Sequence, residues 1–144
     1  MGQVKTFDPQ KIIVTFFGFP ISGFADGTFV NVTGASDKFN KAMGADGEIT
    51  RTKTNDYTSE VTISLTQSSL SNDVLSGFVN ADRLLNAGKG PLAITDLNGT
   101  TLRFWKEAWI KKEPDMGMSK DVETRDWVFD TGQEDQFLIG GNLS

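Results

Sequence analysis

The chain has 144 residues, 38% of them hydrophobic, with 11 Phe and 3 Trp, which is enough for one domain with a real core. A formal charge of −5, from 14 basic and 19 acidic residues, argues against a general nucleic-acid-binding surface, which needs a basic field. The absence of Cys excludes disulfides, thiolate metal sites and a Cys nucleophile, and the absence of His removes the commonest general base and transition-metal ligand. No apolar run approaches the ~18 residues of a membrane span, so no membrane-spanning segment is expected. No signal-peptide pattern precedes Lys5, so synthesis in the cytoplasm is expected.

Residues 1–10 read as a loose N-terminal arm, with Asp8-Pro9 as a turn signal. Residues 11–17 (KIIVTFF) form a strong strand, apolar on both faces and therefore central or covered on both sides. Residues 18–20 bend the chain. The pieces 21–24 and 29–33 flank an Asp26-Gly27 turn and predict a hairpin. Asp26 is explained as a turn residue bonding its own backbone rather than as a cation ligand.

Residues 38–58 hold a second kind of signal. Two extended arms, 39–43 and 48–54, surround the turn cluster Gly44-Ala45-Asp46-Gly47 and carry Lys38, Lys41, Arg51 and Lys53 with few large apolar residues. A long protruding hairpin over about 39–58 follows, one too polar to be pinned to its own core. Residues 59–66 then alternate cleanly. Val61, Ile63 and Leu65 point one way, and Glu60, Thr62, Ser64 and Thr66 the other, as in a half-buried strand.

The one convincing helix spans about 72–86. Ser71-Asn72-Asp73 offers its N-cap, Val74, Leu75, Phe78, Val79, Leu84 and Leu85 its apolar stripe, and Asn86-Ala87-Gly88 its stop. Residues 92–97 and 101–111 predict an antiparallel pair joined at Asn98-Gly99. Residues 122–130 give the last long strand. Phe137, Leu138 and Ile139 predict an edge strand or a docking segment, and residues 140–144 a flexible tail. The fold class expected is mainly β (α+β), a single-domain antiparallel β-sandwich or barrel with one flanking helix.

No catalytic signature is present. The glycines sit in turns rather than in a phosphate loop, and a Ser-His-Asp set is impossible without His. Carboxylate pairs such as Asp26 with Asp46, or Glu107 with Asp126, are available, but no spacing selects one as an acid/base set. The Asp96–Gly99 stretch lacks the later ligands of a calcium loop. The chain therefore reads as neither an enzyme nor a cofactor or metal carrier. Trp105 and Trp109, alternating with Arg103, Glu107 and Lys111, are expected with Trp127 at a subunit interface, because aromatic and Arg residues are enriched there.

The segments FDPQKIIVTF, ISGFADGTF, GADGEITRT, LSNDVLSGF, GPLAITDLNGTTL and EAWIKKEPD, in this order and spacing, resemble the inner tail tube proteins of contractile-tailed phages, related in fold to pyocin and type VI secretion tubes. The resemblance covers residues 6–142. It implies a virion protein of the phage tail that assembles with itself into homohexameric rings, stacked into a tube. Tail sheath, baseplate or initiator and tape-measure proteins are the implied partners, and DNA passes through the lumen without specific binding. In that family a long loop or hairpin reaches the next ring. Phe39, Lys41, Met43, Gly44, Asp46, Gly47 and Arg51 become the expected inter-ring stacking residues. Glu60, Thr62, Ser64 and Thr66 become the expected lumen-facing residues, since hydroxyl and acidic groups do not grip phosphates. The other readings are a secretion-type tube subunit and a carbohydrate-binding β-sandwich using the Trp105/Trp109 face. A two-carboxylate hydrolase comes last.

Overall fold

The computed structural model describes residues 4–143. Ten strands and one helix follow a 3-10 turn at Pro9–Lys11: β1 (Ile12–Phe16), β2 (Phe19–Ile21), β3 (Val30–Gly34), β4 (Phe39–Met43), β5 (Ile49–Lys53), β6 (Ser59–Thr66), α1 (Ser71–Leu85), β7 (Gly90–Asp96), β8 (Leu102–Lys112), β9 (Thr124–Thr131) and β10 (Glu134–Leu138). The main sheet is antiparallel throughout, in the order β2-β1-β7-β8-β9-β6-β3, with β10 added to β8. It rolls up on itself. β2 pairs with β1, and the chain just after it, at Phe24, bridges to Leu65 of β6 at the far side of the sheet.

Alternation along the strands decides what lies inside. Val61, Ile63 and Leu65 of β6 are fully buried, and they meet Phe129 and Trp127 of β9 and Trp105 of β8 in one apolar cluster. Each such side chain contributes ~1.5–3 kcal/mol by leaving water. α1 packs on this barrel through Leu75, Phe78 and Val79. Phe78 stacks on Phe17 at 4.5 Å and stands edge-on to Phe16 at 5.1 Å. Gly90 lies under the same ring: a Cβ there would sit 2.4 Å from Phe17, so only glycine lets the aromatic settle.

Several expectations need correction. The predicted hairpin between 21–24 and 29–33 does not form, because Ile21 pairs with β1 while Gly23 and Phe24 lie along one half of β6 and β3 along the other, with the loop around Asp26-Gly27 an excursion between them. The tight hairpin is instead β1–β2, turned at Phe17 (φ 55) and Gly18 (φ 76), which both take the left-handed region that a two-residue turn requires. Asn98-Gly99 is not a two-residue turn: Asp96 pairs through its N–H with the Thr101 carbonyl, leaving a longer loop. The helix stripe is shorter than expected, since Leu84 and Leu85 are exposed beyond the last turn that meets the barrel. The N-cap is Leu70, without a side-chain bond; Ser71 Oγ instead accepts from the Ser22 N–H (3.0 Å), and Asn72 Oδ1 accepts from Trp127 Nε1 (2.9 Å). The polar groups expected to cap the helix thus tie it to the barrel.

The tail is also held. Gly140 N–H donates to Thr101 Oγ1 (3.0 Å), Thr100 N–H to the Gly141 carbonyl (3.0 Å), and Leu143 N–H to the Asn98 carbonyl (3.0 Å). At the other end, Asp8 caps the 3-10 turn by accepting from Gln10 N–H (2.9 Å). Residues 1–3 of the expected arm and Ser144 of the expected tail lie outside the described residues.

Candidate functional site

β4 and β5 form a two-stranded sheet of their own, in register Phe39↔Lys53, Lys41↔Arg51 and Met43↔Ile49. All residues of both strands are exposed. The expectation of a hairpin independent of the core thus describes the observed element. At the tip, Gly44 N–H donates to the Glu48 carbonyl (2.7 Å), Asp46 Oδ1 accepts from Glu48 N–H (3.1 Å), and Gly47 takes φ +86, the left-handed geometry that closes the turn. Directly opposite residues share a face. One face therefore carries Phe39, Lys41, Met43, Ile49, Arg51 and Lys53, and the other Asn40, Ala42, Thr50 and Thr52. The Arg51 guanidinium lies 3.9 Å over the Phe39 ring.

The hairpin is loose from the core yet tied at its root. Thr54 N–H donates to the Lys38 carbonyl (3.0 Å) and Thr54 Oγ1 to the Asp37 carbonyl (2.5 Å). Asp56 accepts from Ser36 Oγ (2.6 Å), Thr58 Oγ1 (2.6 Å) and Thr58 N–H (3.0 Å). These donors, Ser36 first, stabilise the carboxylate and hold its pKa down at about 2. Gln133 completes the joint: its Oε1 accepts from Tyr57 N–H (2.7 Å) and its Nε2 donates to the Asn55 carbonyl (3.1 Å). Asp56 and Gln133 were not singled out from the sequence. The Asp-x-Thr spacing at 56–58, a local turn motif, is a signal by which Asp56 is findable. Gln133, 76 residues away from Tyr57, has none.

Glu60, Thr62, Ser64 and Thr66 face away from the core, as their alternation with buried Val61, Ile63 and Leu65 requires. Their cross-strand partners on β9 are Asp130, Val128, Asp126 and Thr124. Ser64 Oγ donates to Asp126 Oδ1 (2.7 Å), and Lys111 Nζ bonds Glu60 Oε2 (2.9 Å). The Glu60 bond, with the nearby Asp130 charge, pushes the Lys111 pKa up. The face is thus a hydroxyl–carboxylate surface in which one lysine sits among three acids. Near the hairpin root it forms a shallow groove bounded by Thr33, Glu60, Trp109 and Asp130.

The tryptophan expectation fails for two of three residues. Trp105 and Trp127 are core side chains, 0% and 3% exposed, and are not available to a subunit interface; Trp109 is half-buried beside the groove and keeps that possibility. The reason is a bulge in β8. Leu92 pairs with Trp105 but Gly90 with Ala108, so the side-chain alternation slips by one across Lys106-Glu107, and Trp105 and Trp109 face opposite ways. A saccharide platform made of these two indoles does not exist. Of the available carboxylates, Asp126 accepts from Ser64 and Glu107 lies 3.7 Å from Lys89.

Arg103, expected on that surface face, is instead buried and forms a two-pronged ion pair with Glu134, Nη2 to Oε1 at 2.9 Å, with its guanidinium 4.5 Å from the Phe137 ring. This pair fastens β10 to β8.

A family model described as "Bacteriophage PhiTE tail tube protein" matches residues 18–139. "Structural protein ORF10" of Pseudomonas phage KPP10 is 32% identical over 149 residues, covering 98% of this chain and 86% of that protein. Among solved structures, the tube-terminating cap of the anti-feeding prophage superposes with a TM-score of 0.64 at 12% identity, over 96% of this chain and 95% of that one. The sheath–tube complex of the PVC extracellular contractile injection system gives 0.61 at 13% identity, over 96% and 93%. At such identities the structural likeness is one of fold.

Proposed function

The chain belongs to the phage tail tube family, structural proteins of the virion tail, and on that premise we propose that it forms hexameric rings stacked into the tube through which the genome leaves. The observation that carries this reading is the β4–β5 hairpin: an ordered, wholly exposed element, tied at its root and touching no core. Such an element gains its contacts from another molecule, here the next ring, through Phe39, Lys41, Met43, Gly44, Asp46, Gly47 and Arg51. Within a ring, free sheet edges support closure around an axis, since among the described strands of the main sheet β2 pairs only with β1, β3 only with β6 and β10 only with β8. The lumen is assigned to the Glu60, Thr62, Ser64 and Thr66 face, which hydrates a passing duplex without a cationic field to hold it. The role is structural, not catalytic. Sheath, baseplate and tape-measure proteins are its proposed neighbours. A genome is preferred to a secreted effector as cargo because the relative at 32% identity is a phage protein.

Electron microscopy of the purified protein across concentrations tests the assembly. Rings or tubes with a central hole are expected. Removing residues 42–48 is expected to leave a folded subunit and abolish long tubes; normal polymerisation of that variant would remove the stacking role.

A further inference from the structure

The basic face of the hairpin is electrostatically incomplete. Lys41 and Arg51 stand directly opposite one another, a like-charge pairing that costs stability, with Lys53 on the same face. No carboxylate of the described residues forms an ion pair with any of the three, whereas five lysines and arginines of the body have one. Between these charges lie Phe39, Met43 and Ile49, 41%, 66% and 57% exposed. An exposed apolar strip whose own face carries three positive charges calls for a partner that is apolar and acidic.

Such a surface exists at the opposite pole of the same subunit. The hairpin leaves the barrel at Ser59, the start of β6, where Ser59 meets Thr131. The connection between β8 and β9, residues 113–123, is fastened at the other end of β6, where Gln67 N–H donates to the Glu123 carbonyl (3.0 Å) and Thr66 pairs with Thr124. The two lie about 23 Å apart along the strand. This connection carries Glu113, Asp115, Asp121 and Glu123 against Lys120 and the adjoining Lys112, whose Nζ lies 3.9 Å from Asp115, and exposes Met116, Met118 and Val122 at 76%, 71% and 73%. Methionine suits such a surface because its unbranched thioether adapts to what is laid on it.

We propose that the Phe39/Lys41/Met43/Ile49/Arg51/Lys53 face docks on the 113–123 segment of a second copy of this chain. This rests on the stacking reading above and names its acceptor. A donor at one pole and its complement at the other make a head-to-tail contact, which propagates rather than closing as a two-fold dimer.

The chain has no Cys, so paired substitutions report the contact directly. In tubes grown from purified protein, or taken from phage tails where growth needs an initiator, a mixture of M43C and M116C chains is expected to cross-link between molecules. Reversal at K41E/R51E, or at E113K/D115K, is expected to lower tube mass more than about tenfold while rings persist, and combining the two to restore it. If the chain lacking 42–48 fails to stack but neither cross-link nor rescue appears, the acceptor assignment is overturned and the stacking role stands. If that shortened chain still stacks, both fall. Unchanged tube mass with weakened DNA association in K41E/R51E would hand the face to nucleic-acid phosphate and overturn the proposal.

Discussion

β4–β5 and β6–β9 are both antiparallel pairs, joined by five residues of chain, and they are held in opposite ways. In β6–β9 every second side chain of β6, together with Trp127, Phe129 and Thr131 of β9, is buried in the barrel. In β4–β5 no side chain is buried, and order comes from the tip turn and from the Asp56–Gln133 joint at the root. A strand pair can therefore be specified either by what it covers or by how it is mounted. The first kind makes a domain. The second makes something for another molecule to hold.

That contrast can be broken from either side. The largest effect should come from the core: Phe129→Ala is expected to cost about 4 kcal/mol of unfolding free energy, read by urea denaturation, with no rings formed. Next is Glu134→Ala, which strands Arg103 beneath Phe137 and should cost about 3 kcal/mol; the Arg103→Met, Glu134→Met double variant should recover most of it. Asn72→Ala, which loses the Trp127 Nε1 bond and frees the start of the helix, should cost about 1–2 kcal/mol. Removal of 42–48 should change the unfolding free energy by less than about 0.5 kcal/mol, since no buried group is lost. If that deletion unfolds the subunit, the hairpin is part of the domain after all.

The smallest effect sharpens the comparison. The Asp56 carboxyl titrates at about 2 in the folded chain, below its ordinary 3.8, so its contribution is present above pH 3.8 and lost as pH falls through about 2. Amide exchange at Thr54 and Thr58 is expected to quicken over that window relative to Ile63, and Asp56→Asn should show the quickened exchange at neutral pH. Equal change at all three amides would mean that the root and the barrel open together.

The sequence made some of this legible and hid the rest for physical reasons. β6 was readable to its ends, because a period of two with both faces distinct is a local signal, and the hairpin arms were readable from the Gly/Asp tip between them. The β1–β2 turn was not. It places Phe17 at φ 55, a conformation its side chain disfavours and that the β1–β2 pairing and the stacking with Phe78 over Gly90 offset. The assignment of Trp105 was inverted by a bulge at Lys106-Glu107 that contains no glycine to announce it. Arg103 and Glu134 are 31 residues apart, and each alone looks like surface. Among the expected site residues, the hairpin and the β6 polar face rested on local pattern, while the tryptophans rested on residue type without knowledge of register.

β6 has one further property. Its N-terminal end carries the hairpin, and both of its long edges are zipped antiparallel, to β9 on one side and to β3 and Phe24 on the other. A pull on the hairpin along the strand direction would load those ladders in shear, many hydrogen bonds at once, instead of peeling them open singly. Gln133 and Glu134 carry part of the same force into the β9–β10 strand that runs along β8. The subunit is thereby built like a tensile link, with its coupling mounted on a strand gripped along both edges.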